Sequence, residues 1–469
     1  MLIRFNVKNF LSFSTRLDPA TANPVSNEFS MIPGKVRGKM DHVREHPKQD
    51  LLKFAAIYGA NASGKSNLIK AIDFMQKTIL AGSLPPNSSE KYSKTKENNS
   101  YTPTFFSLEI LLDNHCYEYG FEVMMQTGQF ISEWLFEIGK DSEKRLFEKE
   151  SGKEHYIFEN DLRNIPNLEM YAKDMVGSNI LFLSLMNQNK AGFYHNTPNA
   201  LVLRTIYTWL QQSLDINYPN RIITDYSYLT DVGTISEVSR LIFAFGTGIT
   251  QITPIEIPID KMLAGLPVFI KNDIAKQIDT IIKTINQAKE KSSTSKIAKW
   301  NALIRHTGQL FTLEIDENAK QIAKEIKLIH KNEAFTFDFS EESDGTVRLF
   351  DLIEMLVSPK EKTYIIDELD RCLHPCLTYK FVETFLAFAK NRNVQLIVTS
   401  HESRLLDFDL LRRDELWFVD KDIQGESTLY SLEEYNVRFD QKVDKAYLEG
   451  RYGGVPVFTA LFPVDKGTT

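Results

Sequence analysis

Cysteine is scarce: Cys116, Cys372 and Cys376 are the only three in 469 residues. That excludes a disulfide scaffold and predicts a reducing, cytoplasmic setting. Long apolar runs are missing as well. The most apolar stretch, residues 180–186, is far too short to span a bilayer, so no membrane partner is expected. Residues 1–10 alternate apolar and polar side chains and predict a strand rather than a secretion signal. There is no excess of positive charge: 55 Lys and Arg against 62 Asp and Glu leave a net −7, which gives no global nucleic-acid footprint. Internal repeats and sustained heptads are lacking too, which excludes a solenoid and a long coiled coil.

Metal-ligand patterns are thin. Cys372, His374 and Cys376 have suggestive spacing, but no second ligand pair lies nearby in the sequence, so a structural zinc site is not expected. His42 and His46 could share a helix face. Without an adjacent Glu they do not make a zinc-protease pair, and solvated loop histidines are expected.

What the chain does have is Gly59-Ala60-Asn61-Ala62-Ser63-Gly64-Lys65-Ser66, which fits Gly-x-x-x-x-Gly-Lys-Ser. The apolar run 54–58 before it is of strand type, and residues 67–80 after it carry apolar side chains at helical spacing. Strand, loop and helix in that order are what phosphate binding needs. Small residues let backbone N–H groups close around phosphate oxygens, and the helix N-terminus adds partial positive charge. Gly59, Asn61, Ser63, Gly64, Lys65, Ser66 and Asn67 are the candidate nucleotide contacts. Lys65 is expected on the β and γ phosphates of ATP, and the Ser66 hydroxyl on Mg²⁺.

Two further strands end in polar groups. Residues 363–366 lead into Asp367 and Glu368, where Asp367 would hold Mg²⁺ and Glu368 would polarise the attacking water. Residues 394–398 lead into Thr399, Ser400 and His401, whose imidazole could reach the γ-phosphate or the water. Between the first motif and the second, Ser343-Asp344-Gly345 precedes an apolar helix and offers a hydroxyl, backbone N–H groups and a helix N-terminus to an anion. Read alone, it is a helix cap.

The surrounding pattern predicts an α/β fold with three consecutive parts. Residues 1–150 form a β-rich N-terminal ATPase lobe with strands at 105–112, 117–124 and 131–138, pointing to an antiparallel sheet beside the nucleotide site. Residues 31–50 read as an exposed loop and 83–103 as a flexible connection. Residues 151–310 read as a mainly helical insertion, with helical spacing at 201–213, 236–245 and 270–288. Its Lys283, Lys289, Lys291, Lys296, Lys299 and Arg305 leave open both a solvated face and a contact with nucleic acid or a partner. Residues 311–469 return to strands at 310–315, 326–330 and 335–339 and then to a doubly wound pattern.

The four motifs in this order resemble the ATP-binding-cassette (ABC) class of ATPases, in its SMC-like branch with the RecF-like and OLD-like proteins. Residues 3–13 resemble the first strand of that branch, and Asp367-Glu368-Leu369-Asp370-Arg371-Cys372-Leu373-His374-Pro375 its Walker B and D-loop. Ser343-Asp344-Gly345 stands where the signature Ser-Gly-Gly would be, with Asp in place of one Gly. The family's Q-loop glutamine is not placed. Residues 415–422, 429–432 and 447–456 resemble the AAA ATPases of prokaryotic phage-defence loci. These include the AriA type of PARIS systems, the PtuA type of Septu systems and abortive-infection ATPases, with the AriA layout closest. The likeness covers roughly 1–150 and 310–460, not the middle segment.

The resemblance implies a nucleotide held between two copies, with Lys65, Ser66, Asp367, Glu368 and His401 of one meeting Ser343 and Gly345 of the other. It implies a homodimer or larger assembly, slow regulatory hydrolysis, a separately encoded effector nuclease of Toprim type and a phage-encoded trigger. Asp420 and Asp422 resemble the Asp-x-Asp of a Toprim nuclease, but too little chain follows them for that fold. A DNA-binding repair ATPase of SMC or RecF type is the alternative, and a transporter ATPase subunit a more distant third.

Overall fold

Six short segments pair into one sheet whose five parallel strands end on the same edge. In the computed structural model the order is Leu214–Asn217, Thr363–Ile366, Gln395–Thr399, Phe54–Tyr58, Leu416–Lys421 and Ser427–Ser431, and only the last pairs antiparallel. The described residues are all but 18–23, 26, 141, 154, 166, 176–178, 220–228, 230–231, 265, 291–299, 307, 332–334, 435–442 and 449–469. The middle strands are buried along their whole length, and their largely apolar character follows from cover on both faces. Ile366 pairs with Val398, and Val398 with Ala56, so the loops after these strands emerge side by side. Ligands of open parallel sheets bind at that carboxyl edge.

The chain forms two compact units, 1–219 with 360–370 and 386–469, and 220–359 with 371–385. The first also holds a seven-stranded antiparallel sheet in the order Ile157–Phe158, Glu143–Lys149, Gln129–Ile138, His115–Met124, Thr104–Leu112, Leu2–Lys8 and Asn27–Ser30. The expected antiparallel sheet is therefore present, enlarged by the N-terminal strands and by 143–149. An aromatic ladder joins it to the helix Lys65–Ala81: Phe10 lies 5.0 Å from Phe74, Phe74 5.6 Å from Phe106, and Phe106 5.4 Å from Phe121. Offset and edge contacts of this kind add to area burial.

Two buried polar side chains stitch the first unit. Glu133, fully buried, accepts from the Tyr119 and Tyr156 hydroxyls and from the Phe182 and Leu183 N–H groups. Burial nevertheless pushes its carboxyl above the usual carboxylate range. Gln395 gives its amide N–H groups to the Leu2 and Leu52 carbonyls, and its carbonyl accepts from Leu2 N–H and the Thr363 hydroxyl. Gln395→Leu would strand those backbone groups in the core, at about 1–3 kcal/mol for each one left unmade. A drop of about 4 °C or more in the thermal midpoint is expected; a midpoint within about 1 °C of wild type would contradict this account.

In the second unit, Ile249–Ile257, Gln321–His330, Gln309–Ile315 and Trp300–His306 form an antiparallel sheet. Apolar side chains including Met262, Ile278, Leu313 and Ile315 form a core there. The expected helices appear as Leu201–Gln212, Val232–Ala244 and Val268–Glu290. The middle segment is not helix alone, because it lends strands to sheets in both units. Lys283 is exposed. Lys291, Lys296 and Lys299, and the side chains of Lys289 and Arg305, lie outside the described residues.

Two expectations are corrected. His42 is not a solvated loop histidine: it is buried, and its Nδ1 lies 2.9 Å from a Glu415 carboxylate oxygen. Residues 83–103 are not a loose connection. Asn9 donates to the Asn99 and Thr102 carbonyls and accepts from Ser93 N–H, which pins the segment to the N-terminal strand. Composition identified a segment without regular structure; side-chain bonds to distant backbone give it order.

Candidate nucleotide site

The loop 59–64 closes by local bonds from Ser63 N–H to Ala60 C=O and from Asn67 N–H to Gly64 C=O. Ala62 and Gly64 take positive φ, 65° and 117°, bending the chain so that it enters the helix Lys65–Ala81 without a side-chain cap. The first-turn N–H groups of such a helix have no intrahelical acceptors and are available to an anion. A Cβ on Gly64 would stand 2.3 Å from the Ser427 hydroxyl oxygen, so glycine is required there. The Ser427 hydroxyl donates to Ser63 C=O and accepts from the Ser12 hydroxyl, which in turn accepts from the Asn67 amide. Ser12 and Ser427 thus brace the loop from an N-terminal turn and the last strand. Sequence reasoning did not single out either one; the motif itself carries no sign of its supports.

Lys65 is buried, and its ammonium donates to the Gly59 and Ala60 carbonyls at 2.6 and 3.0 Å. Burial lowers its pKa to about 8, against the opposing pull of the Asp367, Asp370 and Glu368 carboxylates. The Ser63 hydroxyl is buried without a hydrogen-bond partner. A buried cation, an uncapped helix N-terminus and an unsatisfied hydroxyl on one loop fit a phosphate chain.

The adjacent strand tips supply the carboxylates. Asp367, buried, accepts from the Ser66 hydroxyl at 3.0 Å and from the Thr399 hydroxyl at 2.7 Å. Ser66 and Asp367 are oxygen ligands at hydrogen-bond distance from each other, the donor set a hard divalent cation takes. The Thr399 hydroxyl also accepts from Glu368 N–H at 2.8 Å. Glu368 holds φ at 53°, a left-handed conformation that costs a non-glycine residue on the order of 1 kcal/mol or more and recurs at functional sites. Thr399, which the sequence left without a role, therefore orients both members of the Asp-Glu pair. His401 N–H donates to the Asp370 carboxylate at 3.1 Å. Burial, and then the Lys65 charge, hold the imidazole below the usual histidine range.

Ser343 and Gly345 lie in the second unit. Ser343 caps the helix Asp344–Val357, its hydroxyl accepting from Thr346 N–H at 3.2 Å. Gly345 passes so close to the Cys372 carbonyl that a Cβ would stand 2.7 Å from it. An open cleft of about 530 Å³ lies over Ser343, Gly345, Thr346, Thr247, Cys372 and His374. Cys372 and Cys376 are exposed, and among the described residues no group of three or more His, Cys, Asp or Glu could hold a metal ion. Asp420 and Asp422 make turn contacts, Asp422 accepting from Gln424 and Glu426 N–H. The tail residues 449–456 lie outside the described residues.

A phosphate loop, an Asp-Glu pair and a histidine on neighbouring parallel strands, beside an antiparallel β subdomain, define the ABC-type P-loop class. The chain belongs to the family described as "AAA domain, putative AbiEii toxin, Type IV TA system", whose model matches residues 54–168 and 263–407. Among curated proteins none matches the sequence. Among solved structures, an SMC head bound to the C-winged helix domain of ScpA is similar at 15% identity and TM-score 0.40, over 92% of this chain and 97% of that one. The SMC head domain from Thermotoga maritima is similar at 14% identity and TM-score 0.32, over 92% and 98%. An SMC head domain with an extended coiled coil, bound to the C-terminal domain of ScpA from Pyrococcus furiosus, is similar at 14% identity and TM-score 0.34, over 92% and 97%. No described helix is long and apolar enough to cross a membrane.

Proposed function

We propose that this protein binds and slowly hydrolyses ATP as the switch subunit of a cytoplasmic, abortive-infection type of antiphage defence. The observation that carries the reading is the convergence of Lys65, Ser66, Asp367, Glu368 and His401 on one sheet edge, cross-linked through Ser66–Asp367 and Thr399. The family's description, with its toxin and toxin–antitoxin terms, supports the defence role.

In this reading the backbone N–H groups of Asn61, Ala62, Gly64, Lys65 and Ser66, with Gly59 shaping the loop, and the Lys65 ammonium bind the phosphates. Ser66 and Asp367 would hold Mg²⁺, which would neutralise charge developing on the phosphates. Glu368 orients the attacking water and takes its proton. His401, held largely neutral near pH 7, hydrogen-bonds the terminal phosphate or that water. These groups come from a single unit and approach the phosphates from one side. The Ser343 hydroxyl and the helix start at Gly345 of a second copy close the other side and exclude water. Closing and opening of that homodimer, or of a larger assembly built on it, gates a separately encoded effector nuclease in response to a phage product.

The test of the defence role is a phage challenge of cells carrying the natural locus. Glu368→Ala is expected to abolish protection at normal protein level. Undiminished protection in that variant would remove the switch function.

A further inference from the structure

The short helix Val443–Leu448 touches the nucleotide site through Tyr447. Tyr447 is buried, and its ring packs edge-on to Tyr58 at 5.6 Å and tilted to Phe418 at 5.7 Å. Its hydroxyl is hydrogen-bonded by the Gly59 backbone N–H. The Gly59 carbonyl accepts the Lys65 ammonium at 2.6 Å. The two peptide groups flanking the Gly59 Cα are therefore tied from opposite sides, one by Tyr447 and one by the phosphate-binding lysine. Gly59 has the torsional freedom of glycine, and its Cα is hemmed in by the Val419 carbonyl and the Ser63 hydroxyl, each 2.4 Å from where a Cβ would be. The same helix packs on the turn Ser403–Leu405, just past His401, and the Tyr58 hydroxyl donates to Glu402 C=O at 3.1 Å. One short helix thus spans the start of the phosphate loop and the segment carrying the histidine.

We propose that Tyr447 is a positioning residue of the nucleotide site, fixing Gly59 so that the loop keeps its phosphate-binding curvature, and that loop occupancy is felt in return by the helix Val443–Leu448. The inference rests on the ATP-binding reading. When Lys65 leaves the Gly59 carbonyl for a phosphate, the tie to Tyr447 still holds Gly59 itself. Coupling of this kind is reciprocal: a residue that tightens nucleotide binding is itself tightened by nucleotide.

The experiment uses the full chain, wild type and Tyr447→Phe, which keeps the ring and its packing and removes only the hydroxyl. Mant-ATP with Mg²⁺ is titrated, steady-state hydrolysis is measured, and hydrogen exchange is followed in a peptide covering 443–448 with and without ATP. Tyr447→Phe is expected to raise Kd and KM about fivefold, what one neutral hydrogen bond is worth, with kcat within about twofold. In the wild type, ATP is expected to slow exchange in 443–448; in the variant that protection is lost. A variant that binds within about twofold of wild type, or wild-type exchange in 443–448 indifferent to ATP, overturns the inference while leaving the ATPase reading intact. A wild type that binds no mant-ATP overturns that reading, and the inference with it.

Discussion

Glu368→Gln is expected to retain ATP affinity within about threefold of wild type while its saturated hydrolysis rate falls at least about a hundredfold, the range a positioned general base supplies. The expectation comes from the way the residue is held. Its backbone is fixed in a left-handed conformation at φ 53°, and its N–H is anchored on the Thr399 hydroxyl. That same hydroxyl donates to Asp367, so the metal-side carboxylate and the base-side carboxylate are set by one atom. Glutamine preserves shape and the backbone bond but cannot take a proton from water. Phosphate release at saturating ATP is the measurement. A loss of less than about tenfold would move the general-base role elsewhere.

Lys65 gives the second large effect, and a pH signature with it. Lys65→Met is expected to weaken mant-ATP binding at least about a hundredfold, because a buried charge facing phosphates loses its partner. The fold should not suffer. Burial lowers the lysine's folded pKa to about 8, so the protein carries a penalty for the charge below that pH and sheds it as pH rises toward the unfolded value. The melting temperature of the variant near pH 7 is therefore expected close to that of wild type, relief of the charge penalty offsetting the two carbonyls that lose the ammonium. For binding the sign is opposite. Phosphate anions raise the lysine's pKa in the complex, so affinity is full below about 8 and falls above it. Between pH 7.5 and 9 the wild-type Kd is expected to rise about eightfold, the proton-linkage result for a free-state pKa of about 8. A flat profile across that window would mean that Lys65 does not carry the contact.

The motif strands were legible because their signal is local: apolar runs of four or five residues, each followed by a polar tip. Their shared edge follows from parallel pairing, which doubly wound patterns predict. The residues that make the site work were less legible. Thr399 matters only because the register sets Ile366 against Val398, placing its hydroxyl beside Asp367 and Glu368. Ser12 and Ser427 brace the phosphate loop from elements 415 residues apart in the chain. His42 and Glu415, and Gln395 and Leu2, are likewise pairs of distant residues that no local pattern connects. Segment 83–103 misled for the complementary reason, since a polar, proline-containing composition looks the same whether its backbone bonds go to water or to Asn9. Tyr447 lay in a stretch noted only for its resemblance to defence ATPases; its contact with Gly59 is a product of the fold.

The account depends on two copies closing on one triphosphate. The most direct measurement is the solution mass of the Glu368→Gln variant with and without ATP and Mg²⁺, by light scattering on a sizing column, with Ser343→Arg added as a second substitution. The expected result is an ATP-dependent doubling of mass that the added arginine abolishes while each chain still binds mant-ATP. A mass that ignores ATP in a variant shown to bind it, or a dimer indifferent to Ser343→Arg, would contradict the account.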